Sequence, residues 1–438
     1  MTDPRVRGRY ALGAALALYV PLVAACGDDG GGGPRTSSRI EHVVVLVQEN
    51  TSFDAYFSDY CTAPTGSDPV CTDGPACCEA GPATDPGTGA GPLLLDDATH
   101  GAFDPIHFST CFISEINGGG MDQFVAGAVC GSDPRNFAYA GEAQVGRFRD
   151  LARANALADR WYQPIVGASS ANDMYLARAK FVFEDNSYVP EAIGSTCTLN
   201  QNLILYDDPT IGDLLTDARV GWAWYIQGYD VMNDAVAEGQ CPPPDPACPL
   251  GLPFYPCVYD PSDIPMQYYR RFTDDPTYFR DYDASFFRDL SEGTLPPVSF
   301  VKAIGFRSEH PGYGSTITAG LDFSGALVDA VLSSRYAGST LVLITYDEDG
   351  GYFDHVAPPP TSPVDDKPYG PRVPTLAIGR FARSGQISHV VLEHSSIVKF
   401  IEWNWLGGET GQLGTRDAEV NNIGSLLDPA ETGVAVPD

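Results

Sequence analysis

The chain has 438 residues, 43% of them hydrophobic and 11% aromatic, enough to bury the core of one large domain or two ordinary ones. Its 57 Asp and Glu outnumber its 26 Lys and Arg, giving a formal charge of −31. A field of that sign excludes nucleic acid as a partner and repels anionic membrane surfaces.

Arg5, Arg7 and Arg9 open the chain with positive charge, ahead of the apolar run "YALGAALALYVPL" from Tyr10 to Leu22. That run is too short to span a bilayer comfortably but suits a secretory signal peptide over residues 1–25. "VAAC", Val23–Cys26, is similar to the bacterial lipobox, whose Cys becomes the acylated first residue of the mature chain. Residues 26–38 then carry the lipidated Cys and a Gly-rich tether. The expectation is an exported bacterial lipoprotein of the cell envelope, facing the outer membrane or periplasm or released outside, with its membrane contact through a lipid anchor at Cys26.

Apolar runs follow at 42–47, 220–226, 298–304, 340–346 and 373–379, and each reads as a buried strand. Helix-like stretches at 145–161, 210–218, 321–334 and 394–406 lie among them. Strands alternating with amphipathic helices predict an α/β fold with a mostly parallel central sheet flanked by helices. Segments 59–99 and 236–263 are Cys-, Pro- and Gly-rich and read as loop insertions on one catalytic domain, residues 39–438. Setting Cys26 aside, ten cysteines remain, an even number without the paired spacing of a zinc site. In an exported chain they predict disulfides, whose connectivity the sequence leaves open.

Two of the strands end alike. "VVVLV" stops at Gln48, Glu49 and Asn50, and "TLVLITY" stops at Asp347 and Glu348, with Gly350 and Gly351 just after. Ligands of α/β sheets bind outside the carboxyl ends of the strands. Carboxylates and an amide converging there form an oxygen-rich set that suits a hard divalent cation, whereas without a cation they repel one another. Taken singly, each strand end is also what an ordinary polar loop looks like.

With these residues in view, the motifs "HVVVLVQENTSFDAYF", "GGGMDQF", "RSEHPGYG", "ITYDEDGGYFDHVAPP", "YGPRVPTLAIG" and "SSIVKFIEWNWLG" resemble, in order, those of the bacterial phosphoesterase family. That family holds phosphatidylcholine-type phospholipases C and respiratory-burst-inhibiting acid phosphatases. The resemblance spans roughly residues 40–406. It implies an alkaline-phosphatase-like fold, one divalent metal ion at the strand ends and a hydroxyl nucleophile. Carried over by position, it makes Glu49, Asn50, Asp347 and Glu348 metal ligands. It places the nucleophile in "IVGASSANDMYLA", where Ser169, also a ligand, aligns best and neighbouring Ser170 stays open. Ala168 and Ala171 stand where prolines are usual and Asp173 where an Arg is usual, a departure that implies altered substrate preference.

Of seven histidines, the resemblance puts His100 and His310 at the phosphate. His355 is read as catalytic or structural, and His107 as a weaker candidate. His42, His389 and His394 read as surface or packing residues. Proton-donating groups are what a transferring phosphoryl group needs around its oxygens. The expected reaction is hydrolysis of a phosphate ester through a seryl-phosphate, the substrate being either a phospholipid or a soluble monoester. Aromatics at Trp222, Trp224, Tyr225, Tyr255 and Tyr259 could cage a choline group or fill a core. The chain ends soon after the last motif, which tilts the expectation slightly toward a smaller, acid-phosphatase-like member. The altered 168–173 loop also admits a catalytically impaired surface lipoprotein that binds a cation or a partner.

Overall fold

Why should a strand of five branched apolar residues end in charge? The answer lies in its place in the sheet. In the computed structural model, which describes residues 35–195, 202–241 and 259–438, eight strands form the central sheet. In chain order they are β1 His42–Gln48, β2 Ala156–Ala158, β3 Trp222–Ile226, β4 Phe279–Asp281, β5 Val298–Lys302, β6 Thr340–Tyr346, β7 Thr375–Ile378 and β8 Gln386–Ser388. Across the sheet they run β8-β2-β7-β6-β1-β5-β3-β4. β1 is central, and Val43–Val47 are fully buried between parallel neighbours on both sides. A strand so enclosed has no polar face, which is why it reads as one apolar run.

The parallel register brings the functional ends together. Gln48 pairs with Tyr346, and Val47 with Lys302, so Glu49, Asp347 and Lys302 emerge at one edge. Among the described strands of this sheet, β7 alone runs antiparallel to its neighbours. Its composition matches that of the parallel strands, so periodicity carries no sign of direction.

The stretch 145–161 is not one helix. The helix runs Glu142–Ala154, and at Asn155 the backbone N–H donates to the Leu151 carbonyl at 3.0 Å. The Asn155 amide oxygen accepts from the Gly379 N–H at 3.1 Å, and the next three residues join the sheet as β2. Three apolar residues fit a helical or a strand period equally well, so β2 is invisible to pattern alone. The other expected helices stand at Ile211–Asp217, Ile317–Ser333 and His394–Trp405. A further helix, Ser169–Arg178, is buried along its whole length and packs against His394–Trp405.

Cys61–Cys78 and Cys71–Cys77 staple the first insertion, and Cys111–Cys130 joins the helix Ser109–Ile116 to the loop beyond it. Cys241 is also disulfide-bonded. Cys197, Cys248, Cys257, Tyr255, the signal segment, Cys26 and much of the second insertion lie outside the described residues. Ser37 and Ser38, placed at the end of the expected tether, are bonded to Asn404, so the chain is held from there onward. No helix among the described residues is long and apolar enough to cross a membrane.

Trp224 stacks on Phe300 at 4.7 Å and Trp222 on Tyr278 at 4.4 Å. With Tyr225 also buried, this aromatic strand belongs to the core and not to a binding cage.

The turns after β1 and β6 interlock. Asn50 sits at φ 60° and Gly350 at φ 69°. A Cβ on Gly350 would lie 2.6 Å from the Asn50 carbonyl oxygen. Gly350→Ala combines a left-handed backbone penalty of about 1–2 kcal/mol with that clash. It is therefore expected to lower the unfolding free energy measured by urea titration by at least about 2 kcal/mol and to reduce turnover by displacing Asn50.

Candidate active site

Glu49 leaves β1 with its backbone N–H donating to the Ser308 carbonyl at 2.7 Å. Its carboxylate turns to the Lys302 ammonium, with Oε1 3.0 Å from Nζ, while Oε2 lies 4.0 Å from His310 Nε2. Lys302 ends β5 and is 3.8 Å from Asp173. Burial alone would neutralise this lysine, yet Glu49, Asp173, Asp263 and Asp347 outweigh it and hold its pKa well above the ordinary value. The sequence reading missed Lys302. The one available signal was a lysine closing an otherwise apolar strand at the same edge as the other strand ends.

Across from Glu49, Asp347 Oδ1 accepts from the backbone N–H groups of Asn50 at 3.0 Å and Glu348 at 2.7 Å. Burial raises Asp347 to about 6, against the pull of Lys302, while the Asn50 N–H and the Ser169 hydroxyl bond to it and lower it. Glu348 is fully buried, and neither of its carboxylate oxygens has a hydrogen-bond partner. Burial, Asp347 and Asp349 push its pKa well up. Buried carboxylates left in this condition need a proton or a cation.

The Asn50 amide bears on which of these it is. One end of the amide lies 3.0 Å from His310 Nε2 and 3.4 Å from His107 Nε2, and the other lies 3.1 and 3.3 Å from the Asp347 carboxylate oxygens. His310 Nδ1 faces the Pro311 carbonyl at 2.9 Å, and His107 Nδ1 faces the Pro105 carbonyl at 2.7 Å. A carbonyl only accepts, so each Nδ1 carries a proton, and the neutral His310 ring offers a lone pair at Nε2. Burial pushes His310 down to about 3, which keeps it neutral. The amide nitrogen therefore belongs on the histidine side, and its oxygen faces Asp347. Oxygen facing oxygen at that distance is repulsive unless a proton or a cation lies between them. Glu49, Asn50, Asp347 and Glu348 thus fit a hard cation by donor type and by burial. Asp104, His107 and His310 offer a second group of ligand atoms, all within 4.8 Å of one another.

Ser169 opens the helix Ser169–Arg178 and hydrogen-bonds to Asp347. Ser170 is committed elsewhere: its hydroxyl and its backbone N–H both donate to Asn186 Oδ1. Asn172 clamps the preceding turn, accepting from the Ile165 N–H at 3.1 Å and donating to the Gly167 carbonyl at 2.6 Å. Asp173, at the position where the family's Arg is usual, points toward Lys302 with neither carboxylate oxygen hydrogen-bonded.

The other histidines divide. His107, half-buried and 3.8 Å from Glu348, stands with Asn50 and His310, closer to the strand ends than the weaker standing given it above. His100 lies beneath the loop 309–315, with Nδ1 3.2 Å from the Ser315 carbonyl, and burial takes it to about 4. His355 stands apart, both ring nitrogens being taken by carboxylates: Nδ1 is 2.7 Å from Asp54 and Nε2 is 3.4 Å from Glu79. Arg372 pairs with Asp54 at 3.0 Å and Asp354 at 2.9 Å, so this cluster already has its cation. His394 was read as surface or packing, yet it is buried with Nε2 2.8 Å from the Asp347 carbonyl and supports the strand end directly.

A cavity of about 760 Å³ opens over this edge. Its wall includes Ala168, next to Ser169, and His107, together with the carboxylates Asp104, Glu184, Asp185 and Asp260. Phe108 and Tyr313 contribute aromatic faces, and Tyr313 stacks on His310 at 3.9 Å.

The model of the Phosphoesterase family matches residues 40–406. Phospholipase C B of Mycobacterium tuberculosis is 26% identical over 95% of this chain and 82% of its own length. The non-hemolytic phospholipase C of Burkholderia pseudomallei is 25% identical over 89% of this chain and 58% of its own length. A crystal structure of a protein in the alkaline phosphatase superfamily from Vibrio parahaemolyticus overlaps 90% of this chain and 72% of its own, with TM-score 0.36 and 11% identity.

Two outcomes follow from the charges. Lys302→Met leaves Glu49, Asp173 and Asp263 without their counter-charge, and breaking a buried pair costs about 3–5 kcal/mol. The unfolding free energy measured by urea titration at pH 7 is expected to fall by that amount, and the gap from wild type to narrow toward pH 5 as the buried carboxylates take up protons. His355 is opposed by burial, but Asp54 outweighs this and raises its pKa. Its contribution to stability is therefore complete below the unfolded value of about 6.5 and is lost as pH rises through the folded value. His355→Gln should destabilise most at pH 6 and progressively less toward pH 9, as read by urea denaturation.

Proposed function

The chain belongs to the phosphoesterase family, and from that premise we propose that it hydrolyses a phosphodiester with a cationic head group, in the manner of a phospholipase C, through a seryl-phosphate on Ser169. The observation that carries this reading is the cavity wall. Four carboxylates line the approach to Ser169. They oppose a doubly charged phosphate monoester and complement a zwitterionic phosphorylcholine, whose ammonium can also lie against Phe108 and Tyr313.

A divalent cation held by Glu49, Asn50, Asp347 and Glu348 would supply Lewis-acid stabilisation of the phosphoryl oxygens and of the serine oxygen. This chain's own groups account for the rest. Ser169 sits at a helix N-terminus, where the backbone dipole favours negative charge on its oxygen. It gives up its proton along the hydrogen bond to Asp347 and attacks phosphorus in line. The bond to the leaving alcohol breaks, and that oxygen takes a proton from solvent in the open cavity. A water then attacks the seryl-phosphate, its proton passing to solvent in the open cavity, and the Ser169 oxygen leaves with the proton that Asp347 had taken. Lys302 holds Glu49 in place throughout. The expected acyl anchor at Cys26 would keep the enzyme at the cell envelope, beside its substrate.

The test pairs two chromogenic esters, p-nitrophenyl phosphorylcholine and p-nitrophenyl phosphate, from pH 5 to 9 with and without a chelator. The expected result is chelator-sensitive cleavage of the diester at least about tenfold faster than of the monoester. Cleavage of the monoester alone would make the protein an acid phosphatase instead. Ser169→Ala should lower turnover by about 10³ or more, by comparison with nucleophile deletions elsewhere. Ser170→Ala, which removes bonds to Asn186 and Tyr268 and none to Asp347, should stay within about tenfold of wild type.

A further inference from the structure

Five large apolar side chains stand exposed on the cavity wall or on the segments joined to it: Ile106 (43%), Phe108 (49%), Ile113 (56%), Val129 (61%) and Tyr188 (39%). Ile106 and Phe108 lie on the wall, and Tyr188 falls between Ser187 and Val189, which also line it. Ile113 belongs to the helix Ser109–Ile116, and Val129 adjoins Cys130, whose disulfide to Cys111 ties it to that helix. The two lips are joined, since the Ser109 hydroxyl donates to the Glu184 carbonyl at 2.8 Å. Single exposed apolar residues are ordinary, whereas a group fixed around one opening marks an interaction surface.

We propose that this rim docks the protein on the surface of a zwitterionic phospholipid bilayer, with Ile113 and Val129 entering the head-group region and the cavity mouth facing the lipid. The proposal rests on the reading of the substrate as a phospholipid. Charge selects the occupant. The chain carries a formal −31, so an anionic bilayer is repelled. Asp104, Glu184, Asp185 and Asp260, just inside the apolar rim, meet the outward quaternary ammonium of a choline lipid. Aromatic and aliphatic side chains beside a polar opening suit the water–hydrocarbon boundary, where one end is dry and the other wet. An ester held in a bilayer must also enter by the mouth, and an apolar rim lets its acyl chains leave the bilayer without crossing water.

The experiment uses the full chain with Cys26→Ser throughout, so that no acyl anchor contributes. Co-flotation is measured with phosphatidylcholine vesicles and with phosphatidylglycerol vesicles, and turnover is measured on phosphatidylcholine vesicles and on p-nitrophenyl phosphorylcholine. The parent is expected to float with phosphatidylcholine and not with phosphatidylglycerol. The double variant Ile113→Ser, Val129→Ser should lose at least about tenfold in flotation and vesicle turnover while its soluble-ester turnover stays within twofold. Ile113→Trp should raise flotation above that of the parent. Unchanged vesicle binding in the double variant, or stronger binding to phosphatidylglycerol, overturns the proposal, as does an equal fall on soluble and vesicle substrates. If the parent floats and the double variant does not, while neither cleaves the soluble ester, the docking surface stands and the reading of the substrate fails.

Discussion

A single buried ammonium holds the carboxyl edge of the sheet together. Lys302 Nζ lies 3.0 Å from Glu49 and 3.8 Å from Asp173, and its charge also reaches Asp263 and Asp347. Glu49 and Asp347 are buried at the ends of strands whose register leaves them nowhere else to go, Asp173 in the helix Ser169–Arg178 and Asp263 in the short helix Pro261–Asp263. Removing so many carboxylates from water costs several kcal/mol each unless an opposite charge accompanies them. One lysine cannot neutralise the whole set. Glu348 is left with both oxygens unpartnered. The remaining negative charge is what gives the site its demand for a cation.

The loops around this edge are held by further buried groups behind the strand ends. Glu309 is buried and accepts from Gln48 at 2.9 Å, Tyr56 at 2.5 Å and Tyr346 at 3.0 Å. Burial lifts its pKa to about 7 against those three donors. The carboxylate thus ties the loop bearing His310 to the ends of β1 and β6. His394 does the same for the Asp347 carbonyl, and it accepts from the Trp161 indole N–H at 3.3 Å, so its tautomer is fixed by both neighbours. Arg372, between Asp54 and Asp354, locks the segment after Gly351 from the far side. Rigid support of this kind keeps the side chains at the strand ends within narrow geometric tolerances.

Several of these features were legible in the chain. Val43–Val47 and Thr340–Tyr346 could be read as buried strands because each is apolar throughout, and their polar ends as a site because α/β sheets bind at the carboxyl edge. Lys302, Glu309 and His394 were not legible. Each gains its role from a partner far off in sequence, and a lone Lys, Glu or His carries no periodic signal. β2 and the direction of β7 escaped for a related reason, since strand polarity depends on the path of the connecting chain.

The sequence by itself determined the class of fold, the identity of the acids at the strand ends and the family, because hydrophobic period and ordered motifs are local properties of the chain. Tertiary structure alone decided that Ser169 and not Ser170 faces Asp347, that His355 answers to Asp54 and Glu79, and that the aromatics of β3 fill the core while Phe108 and Tyr313 face the cavity. Those outcomes depend on which distant backbone segments share a few ångströms of space, and packing in three dimensions fixes that.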